Sequence, residues 1–189
     1  QLTKEEIESD FKKCCGIENV IWLPSGVADD PHNFNRITGK YFGYGTGGHT
    51  DEFVRFANDS TILLAWVDEA EKDTHPINQL NFEILSKTEP IVVGENWSDQ
   101  DMEYFKVAKG DTLQMAYASS YLNYLLTNKV IILPQYGDEH GAISTKDEAV
   151  KSIFQQLYPN KEIVGINPIS LNQYGGGMHC RYQTQPKIN

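Results

Sequence analysis

The residues best suited to chemistry lie near the end of the sequence, in Gly175-Gly176-Gly177-Met178-His179-Cys180. A run of three glycines can turn sharply and approach a ligand closely, because no Cβ stands in the way. A cysteine carried there among polar neighbours is placed either as a reactive thiol or as an ordinary buried cysteine after a glycine-rich bend, and a reactive thiol needs a base and a group that holds its substrate. Far upstream stands Gly47-Gly48-His49-Thr50-Asp51-Glu52. Histidine as a residue type exchanges protons near neutrality, and a carboxylate two positions on can pair with a cation. In an extended segment, residues two apart face one way, which predicts His49 and Asp51 on the same side. The same rule turns His179 away from Cys180, so His179 reads as structural. His32, His75 and His140 stand outside any such grouping and read as exposed loop residues.

Several elements must bring these stretches together. Thr3-Lys4-Glu5-Glu6 is a capping box, which predicts a helix ended by Gly16 with Ile7, Phe11, Cys14 and Cys15 on its packing face. Residues 19–23 read as a buried strand stopped by Pro24. Residues 25–48 read as a long loop that delivers His49. Residues 52–57 and 60–67, with a turn at Asn58-Asp59, predict a hairpin, followed by a helix over 76–86 and a strand over 90–94. The order then recurs: a hairpin over 121–126 and 130–133 with a turn at Asn128-Lys129, a helix over 146–157, a strand over 162–166. This is an internal ββαβ repeat in an α/β chain, one unit at 49–94 and a second at 120–166. Residues 1–24 read as the tail of a preceding unit, and 175–189 as a short strand carrying Cys180.

Composition narrows the function. The length of 189 residues suits one domain, and 40% hydrophobic with 22% charged residues is ordinary for a globular protein. A formal charge of −10 argues against nucleic acid and is compatible with a cationic substrate. Three cysteines make neither a disulfide framework nor a CxxC metal motif. No apolar run approaches the ~20 residues that span a bilayer. A cytoplasmic protein without a membrane or nucleic-acid partner is expected.

Taken together, the motifs resemble the guanidine-modifying family of agmatine deiminases and bacterial-type peptidylarginine deiminases. The resemblance runs through 47–56, Leu63-Leu64-Ala65-Trp66, Ser120-Tyr121-Leu122-Asn123, 132–138, 162–166 and the closing 175–180. It implies a pentein propeller, five ββαβ-like modules around a pseudo-fivefold axis, of which this sequence would be a partial ring, the C-terminal half. It implies hydrolysis of a guanidinium, agmatine to N-carbamoylputrescine and ammonia before free or peptidyl arginine. Cys180 is then the nucleophile that forms a covalent thiouronium, His49 the general acid/base, and Asp51 the guanidinium ligand. Gly175, Gly176 and Gly177 would line the substrate, though each could equally be a tight turn before a strand. No cofactor or metal is implied. The partners implied are a small cationic substrate and the N-terminal half of the same enzyme, with a homodimer as an open alternative. A second carboxylate is also implied; Asp29, Asp30 and Glu52 are the nearby acids, none of them assigned.

Other readings stay open at this point. A zinc deaminase would need His-x-Glu and a Pro-Cys-x-x-Cys partner, which Cys180 lacks. A papain-like Cys–His hydrolase leaves Asp51 unexplained. A pentein piece used only for binding or assembly would need no chemistry at all.

Overall fold

The computed structural model describes residues 2–24, 26, 30, 32–65, 90–117, 119–137 and 145–185. The helix expected over 76–86, together with His75 and His140, lies outside the described residues. Helix α1 (Lys4–Cys15) starts at the capping box, where Thr3 and Glu6 bond each other's backbone N–H, and ends at Gly16 in the left-handed region. It has no buried residue, and Cys14 and Cys15 are exposed rather than packed as the sequence suggested. Residues 19–23 form no strand. Trp22 instead turns back on α1, donating to Glu8 at 2.7 Å beneath the Lys4 ammonium.

The stretch read as a loop up to His49 contains two short strands, β1 (Asn35–Thr38) and β2 (Tyr41–Tyr44), joined antiparallel by a turn at Gly39. Local pattern does not reveal them because β2 finds its other partner much later in the chain. It pairs in parallel with β6 (Thr112–Tyr117), and β6 pairs antiparallel with β5 (Pro90–Val92), giving a sheet in the order β1-β2-β6-β5. Phe42, Val93 and Leu113 form its core against α2 (Asp99–Phe105), where Phe34 stacks on Phe42 at 5.0 Å.

Strands β3 (Val54–Asn58) and β4 (Thr61–Leu64) form an antiparallel hairpin whose turn is fastened by Asn58 Oδ1 accepting from the Ser60 N–H at 3.0 Å. The strand expected to complete this first unit, β5, joins β6 in the other sheet instead. The later stretch forms hairpin β7 (Leu125–Leu126) and β8 (Val130–Pro134), helix α3 (Thr145–Leu157) and strand β9 (Glu162–Ile166), which lies parallel to β8. Tyr124, Ile131 and Leu133 bury against Phe154 and Tyr158. The Tyr158 hydroxyl donates to the Ala57 carbonyl at 2.8 Å, tying this unit to the first hairpin. The architecture is α/β, with sheets of four, two and three strands and no closed barrel among the described residues. No helix among the described residues is long and apolar enough to cross a membrane.

Candidate active site

His49 and Asp51 reach the site on a turn rather than a strand: residues Thr50–Glu52 make one turn of 3-10 helix after His49. The turn is held from below by Asp30, only 1% exposed. Its carboxylate accepts from the Thr46 N–H, from the Thr46 hydroxyl at 2.6 Å, from the Gly48 N–H at 2.9 Å and from the His49 N–H at 3.1 Å. A buried carboxylate is tolerable when its lone pairs are filled in this way. Gly47 and Gly48 adopt φ of 92° and 86°, a conformation that side chains with a Cβ rarely take, so the motif's glycines are required by the backbone.

A second segment enters from residues 120–124. Arg55 on β3 donates to the carbonyls of Leu122 and Tyr124, both at 3.0 Å, and its guanidinium lies over the Tyr124 ring at 4.3 Å. This sets Asn123 in the interior, 1% exposed. Its amide nitrogen faces Glu52 Oε1 at 2.7 Å, Asp51 Oδ2 at 3.1 Å and Cys180 Sγ at 3.3 Å, and its oxygen accepts from the His179 N–H at 2.7 Å. One buried amide therefore touches both motifs.

The cysteine arrives last. Helix α4 (Ile169–Asn172) is followed by Gly175 and Gly176, both at positive φ, and the expected strand is instead a 3-10 turn at His179–Arg181. The period-2 rule therefore does not apply, and His179 turns inward: its Nδ1 lies 2.7 Å from Asp51 Oδ2. The Cys180 thiol donates to the same oxygen at 3.3 Å. Ligand-type atoms of His49, Asp51 and Cys180 all lie within 4.8 Å of one another. The hollow in front of them is lined by Gly48, His49, Thr50, Asp51, His179 and Cys180. Gly175, Gly176 and Gly177 are not among its walls. Gly176 and Gly177 are buried, and a Cβ on Gly177 would stand 2.4 Å from Asn123 Oδ1, so their part is to let the turn close. His32 is exposed.

The electrostatics follow from this packing. Burial pushes the Asp51 carboxyl up, but hydrogen bonds from His179 and Cys180 and the attraction of the imidazole outweigh it and hold the group below the usual carboxylate range. Burial pushes the Cys180 thiol up. The Gly177 backbone and Asn123 pull it down, Asp51 pushes it up again, and the net position is above that of an ordinary thiol. Burial and the neighbouring carboxylate thus keep the sulfur as S–H. A cation bound in the hollow would favour its ionisation.

Residues 1–186 match the family model described as Porphyromonas-type peptidyl-arginine deiminase. The chain belongs to that family. It is 30% identical over 205 aligned positions to a Mycoplasma mycoides subsp. mycoides SC protein named "Putative agmatine deiminase", covering 98% of this chain and 49% of the relative. It is 28% identical to the agmatine deiminase of Pseudomonas fluorescens, with the same coverage. The X-ray structure of a "putative agmatine deiminase" superposes with a TM-score of 0.57 at 26% identity, over 95% of this chain and 46% of that one. The chain spans about half the length of the curated relatives it matches.

For this member of the Porphyromonas-type family, the sequence had singled out Cys180, His49 and Asp51, and the fold brings the three together. It had missed three supporting residues. Asn123 stood within the Ser120–Asn123 stretch that carried the resemblance, without a role. Asp30 was one of three unassigned acids, and His179 was set aside by a rule for strands.

Proposed function

We propose that the chain carries the nucleophile and acid/base of a guanidine deiminase, with agmatine as the first substrate to test. The observation that carries this reading is the meeting of Cys180, His49 and Asp51 around one hollow, from positions more than a hundred residues apart in sequence. The names of the relatives add support for the substrate class.

In this reading Asp51 pairs with the guanidinium, and the bound cation offsets the burial and the Asp51 charge that had kept Cys180 protonated. The Cys180 S–H proton passes to His49, and the thiolate attacks the guanidinium carbon, forming a C–S bond as the C–N π pair moves onto nitrogen. His49 gives a proton to one nitrogen, the C–N bond breaks, and ammonia leaves a thiouronium on Cys180. His49 then takes a proton from water, whose oxygen adds to the same carbon. The C–S bond breaks, the hydroxyl proton of the departing ureido product passes to the sulfur to restore the Cys180 thiol, and His49 releases the proton it took to ammonia or solvent. Hydrolysis of agmatine in this way gives N-carbamoylputrescine and ammonia. No metal enters any step. Asn123 and His179 hold Asp51 and the Cys180 turn in register, and Asp30 holds the His49 turn.

The three sheets fit as parts of a pentein propeller, with further modules and a second guanidinium-binding carboxylate supplied by the N-terminal half of the same cytoplasmic enzyme. The test is ammonia release from agmatine by residues 1–189, alone and together with that half. Turnover is expected only from the pair, and Cys180→Ser should abolish it. Near-normal turnover in Cys180→Ser would sink the covalent route. Peptidyl arginine is the second substrate to assay, because the matching family model bears that name. Preference for it over agmatine would move the substrate assignment and leave the chemistry intact.

A further inference from the structure

The trio that suits a guanidinium also has the composition of a soft-metal site. Thiolate and imidazole are the ligands that select zinc, cadmium and copper(I), whereas magnesium and calcium require shells of oxygen. We propose that His49, Asp51 and Cys180 bind a single soft divalent cation, zinc or cadmium, which enters the open hollow from solvent and blocks it.

The geometry comes close to what such an ion needs. With metal–ligand bonds of about 2.0–2.3 Å, tetrahedral ligands stand about 3.5 Å apart. Cys180 Sγ and Asp51 Oδ2 are already 3.3 Å apart. The three ligand-type atoms lie within 4.8 Å of one another, so closing the site needs side-chain shifts of about 1.3 Å at most. His49 and Cys180 are exposed, and an ion can reach both from the hollow without opening the core. Three protein ligands leave a fourth position for water. His179 at 2.7 Å from Asp51 and Asn123 at 3.1 Å are the outer partners that orient a ligating carboxylate. Glu52 adds negative charge, with Oε1 3.9 Å from the sulfur.

Binding is a proton-for-metal exchange. The Cys180 S–H bond breaks, the proton passes to solvent, the sulfur donates its lone pair to the ion, and water leaves the ion's hydration shell. No electron is transferred. Because the thiol gives up its proton to the ion, the affinity should rise with pH.

The inference uses the same side chains as the deiminase reading but does not depend on it. It is tested by absorbance of the 189-residue chain, whereas deimination is tested by ammonia. The rival site is the exposed pair Cys14 and Cys15, so the titration starts from a Cys14→Ser/Cys15→Ser double variant. Adding cadmium should produce a sulfur-to-metal charge-transfer band that saturates at one equivalent, with release of about one proton. Cys180→Ser in that background should abolish the band. His179→Ala should weaken binding about 10- to 100-fold, as an outer partner does, and His49→Ala by more than that. Circular dichroism checks the fold. Should Cys180→Ser not fold, the double variant alkylated at its remaining thiol takes its place. Loss of the band in the double variant would assign the metal to Cys14 and Cys15 and overturn the proposal. So would a band that survives removal of Cys180, or the absence of stoichiometric binding.

Discussion

Asn123→Asp is the most informative single substitution, because it changes one atom type and no volume. The new side chain can still accept from the His179 N–H at 2.7 Å. Its other oxygen, however, replaces an amide that donates to Glu52 Oε1 at 2.7 Å and Asp51 Oδ2 at 3.1 Å. Two like charges about 3 Å apart repel by about 5 kcal/mol at an effective dielectric constant of about 20. Protonating an ordinary aspartate at pH 7 costs about 4 kcal/mol, so the new carboxyl takes a proton and the destabilisation is capped near that value. At pH 5 the cap falls to about 1.5 kcal/mol. The neutral acid keeps a single O–H where the amide served three acceptors, which adds a pH-independent loss of about 1 kcal/mol. The sign follows from linkage. The folded-state pKa of the new group lies above its unfolded value of about 3.9, so the penalty is absent below that pH and grows as pH rises. Thermal unfolding of the 189-residue chain should place the variant roughly 10–20 °C below wild type at pH 7 and roughly 5–10 °C below at pH 5. A gap that stays constant between pH 5 and pH 8, or a variant as stable as wild type at pH 7, would refute the assignment of Asn123 as the buried donor between two carboxylates.

Three further outcomes are expected. Asp30→Ala leaves several donors of the 46–49 loop without their acceptor. At about 1–3 kcal/mol for each orphaned donor the loop should open rather than bear the loss, which proteolysis between Gly45 and Thr50 would detect; an intact loop means the carboxylate is dispensable. Alkylation of Cys180 by iodoacetamide should be slow at neutral pH and still rising above pH 9, because burial and Asp51 hold the thiol up. Asp51→Asn should speed that alkylation several-fold at pH 8, and unchanged rates would show that the carboxylate does not govern the sulfur. Gly177→Ala places a Cβ 2.4 Å from Asn123 Oδ1, an atom already engaged by His179. It should destabilise by about 1–3 kcal/mol in denaturant unfolding, and a neutral effect would mean that the 175–180 turn can slide.

What the sequence determined by itself is whatever rests on neighbours within a few residues. The capping box of α1 closes between Thr3 and Glu6, and Gly16 ends the helix on the spot. Asn58 makes its turn with Ser60, and Thr127 makes the next with Val130. Gly47 and Gly48 before His49, and Gly175 and Gly176 before Cys180, likewise advertise backbone that only glycine adopts readily. Such bonds are visible in a short window, and so were the three residues proposed for the chemistry. The tertiary structure decided everything that depends on a partner far along the chain. β2 is a strand because β6 lies beside it, while residues 19–23, with a similar look, find no pairing among the described residues. Residues Thr50–Glu52 form a turn held under the His49 N–H by Asp30, and His179–Arg181 form another whose first amide is taken by Asn123, so a rule that assumes extended backbone faced His179 the wrong way. A buried polar group must find partners wherever the fold provides them. For Asp30 these lie 16 to 19 positions away, and for Asn123 they lie 56 to 72 away, at separations where local sequence carries no signal.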